Sequence, residues 1–212
     1  RTPSASAARP AQRSLPRPDL AVVALKPLQA LRARDSSHCG VKAANLGTLR
    51  AVLPPAARVP DGFCIPFSQY QAMQQRLQVP QRLRELQQRP GFNSDPAVRR
   101  DALASLRTQI ENAPADAAFV RTLERQWRDQ LKGAPVFVRS SSNSEDLPGF
   151  SGAGLYSTVP NVTRMEAVAK AVQTVWASVY NFEAYEARTA AGLPQDAVAM
   201  AVLVQVAAPS DS

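Results

Sequence analysis

The segment Val136–Asn161, VFVRSSSNSEDLPGFSGAGLYSTVPN, joins two apolar runs through a polar, turn-rich stretch. Its first three apolar residues lead into Arg139 and three serines, Ser140–Ser142. An acidic pair, Glu145-Asp146, then precedes a loop with one proline and three glycines, and the second apolar run is Leu155–Val159. This order predicts a buried strand with polar groups at its carboxyl end, a mobile loop and a second strand.

These polar groups have the chemistry of a polyphosphate cradle. The arginine guanidinium offers a planar fork of donors that suits phosphate, and serine hydroxyls and glycine-loop amides add neutral donors. The residues alone leave an alternative open, in which Arg139 pairs with Asp146 and the serines cap turns.

The same segment resembles the N-terminal, ATP-binding part of the pyruvate phosphate dikinase and phosphoenolpyruvate synthase family. The matching residues are Arg139-Ser140-Ser141, Glu145-Asp146-Leu147-Pro148, Phe150 and Gly152. Three further stretches are also similar to the glucan water dikinases: Gly154-Leu155-Tyr156, Val175–Tyr180 and Met200–Gln205. The resemblance covers residues 20–208 and is most specific over Arg139–Gly154.

The resemblance implies an α/β (α+β) fold, namely an ATP-grasp-like first lobe with a mostly antiparallel or mixed sheet and packed helices. It also implies ATP and Mg²⁺ as cofactors. Lys42 and Arg139 match residues that bind the phosphates, with Ser140 and Ser141 assisting. Gln205 ends the strand that leads toward the adenine and ribose pocket.

Lys42 follows Gly40 at the predicted start of a helix. Backbone amides at a helix N-terminus attract anions, and a lysine there is locally disfavoured unless an anion is present. The spacing is not that of a P-loop. Where the resembled family has Gly-Gly-Lys, this chain has Gly40-Val41-Lys42, so a valine replaces the second glycine. The alternative is a solvated lysine at the start of a helix.

The remaining apolar runs predict three more strands. Leu20–Leu25 and Phe63–Ile65 are short candidates, and Val198–Val206 is apolar on both sides, as expected of a central strand. Residues 67–132 have helical periodicity interrupted at Pro90-Gly91 and Ala113-Pro114, which predicts a helical insert. Residues 163–192 predict a helix pair that begins with a Thr163–Glu166 capping box.

The net charge of +8 is concentrated at the start of the chain. Residues 1–18 hold four arginines, no acid and many Pro, Ala and Ser residues, which predicts a disordered basic tail before a nucleotide-binding lobe at 19–212. The lobe alone carries only +4, which argues against nucleic-acid binding. The chain contains no apolar run of about 18 residues, so no membrane span is expected. A separate hypothesis is that the basic tail binds an acidic surface.

The two cysteines, Cys39 and Cys64, leave the compartment open. We expect free thiols in a cytoplasmic protein. Because the chain does not begin with Met, it is expected to be a processed product or a fragment. If a secretory leader preceded it, the location would be the bacterial cell envelope or periplasm, and the two cysteines could form a disulfide.

The leading functional hypothesis is the ATP-binding part of a dikinase. Such an enzyme would transfer the β-phosphate of ATP to a carrier histidine and on to pyruvate, or to a glucan in the related group. The metal ligands, the second lobe and the phosphohistidine domain are expected in a longer chain, and His38 does not match the acceptor. The alternative is a catalytically incomplete, stand-alone nucleotide-binding or regulatory module. A Ser–His–Asp hydrolase and a zinc site are not indicated.

Overall fold

A computed structural model describes residues 14–54, 57, 59–147, 150–152 and 154–207. Five strands form one sheet in the order β1-β2-β7-β3-β6, and every neighbouring pair is antiparallel. A two-stranded hairpin, β4-β5, lies in the loop after β3. The strands are β1 Lys26–Pro27, β2 Gly62–Ile65, β3 Val136–Ser142, β4 Asp146–Leu147, β5 Phe150–Ser151, β6 Thr158–Val162 and β7 Met200–Val206. The predicted α+β class with an antiparallel sheet is confirmed.

Strand β7 is the centre of the sheet and is buried on both faces. Met200, Val202 and Val204 belong to the larger apolar cluster, whereas Ala201 and Leu203 belong to a smaller one. Because side chains alternate along a strand, the two clusters lie on opposite faces of the sheet. The predicted central strand is therefore confirmed, and its continuous apolar run is explained by burial on both sides.

Seven helices in the described part of the chain pack around this sheet. They are α1 Ser36–Val52, α2 Phe67–Arg76, α3 Val79–Gln87, α4 Pro96–Asn112, α5 Ala117–Leu131, α6 Met165–Ala177 and α7 Phe182–Ala190. The side chains of Asp95 and Asp116 cap α4 and α5 by accepting from Ala97 N and Phe119 N, each at 2.8 Å. The helices predicted for 67–132 are present, and their apolar faces join the larger cluster.

Three local predictions are wrong. Leu20–Leu25 is not a strand, because the carbonyls of Val22 and Val23 accept from the side chains of Ser68 and Gln69 instead of a neighbouring strand. The strand expected at Leu155–Val159 begins only at Thr158, after a turn at Gly154 with φ of 76°. Helix α6 starts at Met165, and no side chain caps it, so the Thr163–Glu166 capping box is not formed.

Residues 1–13 of the predicted tail, which spans residues 1–18, lie outside the described residues. Within its described end, Leu15 is buried and Pro16 O accepts a 2.9 Å hydrogen bond from Asn143 Nδ2. The boundary between tail and lobe stays a prediction. In the described part of the chain, no helix has the length and apolar character needed to cross a membrane.

Candidate nucleotide-binding site

Arg139 lies on β3, between the central strand and the edge strand β6. Its backbone is opposite Leu203 on one side and Thr158 on the other. Its Nη1 donates to Gln205 Oε1 at 3.4 Å, and Gln205 Nε2 donates to Pro60 O at 3.2 Å. The buried glutamine is thus held at both ends of its amide, and within the described residues the guanidinium retains further N–H donors for a ligand.

Lys42 reaches the polar end of the same strand. Its Nζ donates to Ser140 O at 2.9 Å and to Glu145 Oε1 at 2.9 Å, and lies 3.5 Å from Ser140 Oγ. The lysine side chain is 35% exposed, and that of Glu145 is 10% exposed. An ammonium group has three donors, and the contact with Ser140 Oγ is the longest of its three hydrogen bonds. The lysine is therefore held in place and remains partly accessible.

A break in helix α1 at Gly40 allows this approach. Gly40 has φ of 75° and ψ of 163°, so the chain turns before the helix continues through Lys42. A Cβ at Gly40 would lie 2.4 Å from Ser141 O, which shows how closely the backbones meet. Beyond the turn, Ala43 N donates to Ser141 Oγ at 3.1 Å. A helix-start amide and a serine hydroxyl therefore fix α1 against β3.

The structure thus places the five predicted site residues in two neighbouring groups along β3. One group is Lys42 with Ser140 and Ser141, and the other is Arg139 with Gln205. Whether they bind a nucleotide stays a prediction. The Ser140 hydroxyl donates to Glu145 Oε1 at 3.5 Å, and the Ser141 hydroxyl accepts from Ala43 N.

Glu145 is the site residue that the sequence did not resolve. The sequence alone assigns it no partner, and in the structure its carboxylate pairs with Lys42. The alternative pairing of Arg139 with Asp146 stays a prediction, because the Asp146 side chain lies outside the described part of the structure. No local pattern could have paired Lys42 with Glu145, because 103 residues separate them in the chain.

Cys39 and Cys64 form a disulfide, which corrects the expectation of free thiols. Both residues are fully buried in the smaller apolar cluster, between α1 and β2. The sequence left this pairing open because it does not show how closely the Gly40 turn approaches β2. The disulfide links the residue before Gly40 to the strand that pairs with β7.

A buried polar network supports the loop that carries Glu145. Ser142 Oγ and Ser144 Oγ are 3.0 Å apart, and Ser144 Oγ is 3.0 Å from Tyr156 Oη. The fully buried Arg188 donates to Tyr156 Oη at 3.3 Å and to Val179 O at 2.6 Å. These contacts give Arg188 a structural role in the core.

A separate cavity lies elsewhere in the described part of the chain. It has a volume of about 470 Å³, and Tyr70, Gln74 and Asp196 are among its lining residues. Neither Lys42 nor Arg139 lines it. Burial raises the pKa of the Tyr70 phenol well above its ordinary value, and the neighbouring Tyr180 adds to the effect. The charged residues in its lining are Arg17 and Asp196, so it brings together one cation and one carboxylate, whereas Lys42 and Arg139 place two cations at β3.

Among the described residues, no group of three or more His, Cys, Asp or Glu side chains could hold a metal ion. The carboxylate that faces Lys42 belongs to Glu145 and is paired with that lysine.

Comparison with known proteins identifies the class to which this fold and site belong. Residues 36–212 match the family model described as pyruvate phosphate dikinase, AMP/ATP-binding domain. The match covers most of the chain, so the chain belongs to this family. It includes Lys42, β3 and Gln205, and it confirms the resemblance that the sequence indicated.

Individual relatives carry two kinds of name. The phosphoenolpyruvate synthases of Deinococcus radiodurans and Escherichia coli are 30% and 31% identical over 85% and 84% of this chain. The rifampicin phosphotransferase of Streptomyces sviceus is 32% identical over 84% of it. The aligned region covers 23% of each synthase and 20% of the phosphotransferase, so this chain corresponds to about a fifth to a quarter of their length.

Proposed function

We propose that this chain is the first, ATP-grasp-like lobe of a dikinase-type phosphotransferase and that it binds the phosphates of ATP along β3. The observation that carries the proposal is the placement of Lys42. Its ammonium group is held by Ser140 O, on the strand that also carries Arg139, and by Glu145 in the loop that follows this strand. Two cations from distant parts of the chain are thereby brought to one strand, where a polyanion can contact both.

Each residue has a distinct part in this binding. Lys42 contributes a point charge whose longest hydrogen bond, to Ser140 Oγ, can be exchanged for one to a phosphate oxygen. Arg139 contributes a planar fork that can bind a phosphate through two N–H groups. Gln205 orients Arg139, and its place near the end of β7 supports a position beside the ribose or adenine. Ser140 and Ser141 hold the two chain segments together and can add donors.

In a whole enzyme we propose that the β-phosphate of ATP passes to a carrier histidine on another domain and then to pyruvate. The relatives' names support a phosphotransferase and give more than one final acceptor, since one is a rifampicin phosphotransferase. This lobe binds ATP, and the acceptor is chosen elsewhere. The second candidate, a regulatory module that binds nucleotide without catalysis, uses the same residues and predicts the same binding.

Mg-ATP titration by calorimetry tests the proposed site. Arg139→Ala should weaken binding by about tenfold or more, because a charge-assisted hydrogen bond contributes about 1.5–3 kcal/mol. Arg128→Ala is the matched control, since Arg128 is a largely exposed arginine paired with Glu124 on α5. Equal affinities for the wild type and Arg139→Ala would overturn the phosphate role of this strand.

A further inference from the structure

We propose that the Cys39–Cys64 disulfide controls the affinity of the ATP site by positioning Lys42, so that reduction by a dithiol weakens nucleotide binding. This inference rests on the proposed function, because Lys42 is taken as a phosphate ligand. Nothing in the family match or in the names of the relatives assigns the two cysteines a role.

The disulfide lies at the start of the segment that presents Lys42. Cys39 immediately precedes Gly40, where the backbone turns with φ of 75°, and Lys42 follows two residues later. Few residues separate Cys39 from Lys42, so a displacement of Cys39 also displaces Lys42. The disulfide is therefore a positioning element for this lysine.

The other end of the disulfide lies in the same row of the sheet as Arg139. Cys64 on β2 is opposite Leu203 on β7, and Leu203 is opposite Arg139 on β3. The covalent bond thus connects the Lys42 segment to the row that carries the second phosphate-binding residue. An intact disulfide therefore fixes the distance between the ammonium group of Lys42 and the guanidinium group of Arg139. This preorganisation favours a triphosphate that contacts both groups.

Reduction would loosen this arrangement without releasing it completely. Three noncovalent contacts remain after the bond is broken: Ala43 N to Ser141 Oγ, Lys42 Nζ to Ser140 O, and Lys42 Nζ to Glu145. We therefore expect a graded loss of affinity, about threefold to tenfold, and not a loss of the site.

The redox step is a two-electron thiol–disulfide exchange between a dithiol reductant and the Cys39–Cys64 disulfide. A thiolate of a dithiol reductant attacks one sulfur of the Cys39–Cys64 bond, that bond breaks, and a mixed disulfide forms. The second thiolate of the reductant then displaces the remaining cysteine. The protein gains two thiols with their protons, and the reductant becomes a disulfide. Both cysteines are fully buried, so the exchange requires local opening of α1 from β2.

The experiment measures Mg-ATP affinity by calorimetry for the oxidised and the dithiol-reduced 212-residue chain. Thiol counting confirms the redox state, and circular dichroism confirms that the protein is folded. We expect reduction to weaken binding about threefold to tenfold. Cys39→Ala/Cys64→Ala should bind like the reduced protein and should not respond to the dithiol. In Lys42→Ala the effect of reduction on affinity should disappear, because the proposed effect acts through Lys42. A purely structural disulfide would still change the affinity of this variant.

Each contrary result has one meaning. If the oxidised wild type binds no Mg-ATP, the proposed function is wrong. If it binds and reduction leaves the affinity unchanged, the proposed function stands and the redox inference is wrong. An equal effect of reduction in Lys42→Ala, or unfolding of the reduced protein at the temperature of measurement, would show that the disulfide supports the whole fold. Either result would overturn the control of Lys42.

Discussion

Glu145 and Lys42 form an ion pair at the proposed phosphate site. The Glu145 carboxylate lies 2.9 Å from the ammonium group and is largely buried. The pair neutralises the lysine in the absence of ligand, and it keeps the side chain from folding back into solvent. A nucleotide that binds there must share Lys42 with Glu145 or displace it.

Replacing this carboxylate should therefore strengthen nucleotide binding. In Glu145→Gln, the negative charge beside the phosphates is lost while the side chain keeps its size. We expect Mg-ATP to bind about threefold to tenfold more tightly, as measured by calorimetry at low salt. Glu124→Gln, which changes an exposed carboxylate on α5, should leave the affinity unchanged. Weaker binding by Glu145→Gln would show that the carboxylate assists the ligand.

Gly40 provides a second test at the scale of one residue. Gly40→Ala places a Cβ 2.4 Å from Ser141 O at a φ of 75°, so it combines backbone strain with a clash against main chain. We expect the free energy of unfolding to fall by about 3 kcal/mol. Gly192→Ala is the matched control, since Gly192 has φ of 68° with no atom within 4 Å of the added Cβ. That variant should lose about 1 kcal/mol in the same urea titration.

If Gly40→Ala were no more destabilising than Gly192→Ala, the close approach of α1 to β3 would be wrong. The site geometry at Lys42 would then need revision, because it depends on that approach. The comparison separates the cost of the backbone conformation from the cost of the contact.

Among the secondary-structure elements, helix α2 is linked to the turn that follows α6 by buried tyrosine hydroxyls. Tyr70 in α2 lies 3.5 Å from the hydroxyl of Tyr180, which follows α6, and Gln74 donates to Tyr180 at 2.9 Å. Burial raises the pKa of both phenols, so the folded protein holds these protons more tightly than the unfolded chain does.

This difference predicts loss of stability in alkali. The contribution is complete below the ordinary tyrosine pKa of about 10, and it declines as the pH rises above that value toward the folded-state pKa. We expect the free energy of unfolding to fall between about pH 10 and 11, and to fall less steeply in Tyr70→Phe. Urea titrations at several pH values provide the measurement. Identical slopes for the wild type and the variant would contradict the role of Tyr70.

Local sequence patterns predicted helices and strands best where the buried residues recur at a regular spacing. The helices α2 to α5 and the strand β7 follow from the spacing of apolar residues, because each buries a continuous stripe or both faces. The strand expected at Leu20–Leu25 failed for a tertiary reason: side chains of α2 bind its carbonyls. An apolar run alone does not show which partner its backbone will meet.

For the whole molecule, the disulfide is the covalent constraint between the first helix and the sheet. It joins residues separated by 25 positions in sequence. Closing a loop of this length in the unfolded chain is expected to stabilise the fold by about 3 kcal/mol. We therefore expect the free energy of unfolding to fall by that amount when the wild type is reduced, in a urea titration with and without a dithiol.

Cys39→Ala/Cys64→Ala serves as the control for this measurement. Its stability should not depend on the dithiol, since it has no bond to reduce. A difference of less than about 1 kcal/mol between the oxidised and reduced wild type would mean that the unfolded chain gains little freedom from reduction. The expected loss leaves a stably folded protein if the oxidised chain has the stability of an ordinary domain.

The sequence by itself determined the family, the α+β class and the chemistry of β3. These follow from residues that are neighbours in the chain, such as Arg139-Ser140-Ser141, and from short apolar periods. The tertiary structure decided the contacts between distant residues: Lys42 with Glu145, Ala43 with Ser141, and Cys39 with Cys64. Local patterns do not contain such pairings, because they arise only when the turn at Gly40 packs helix α1 against the folded sheet.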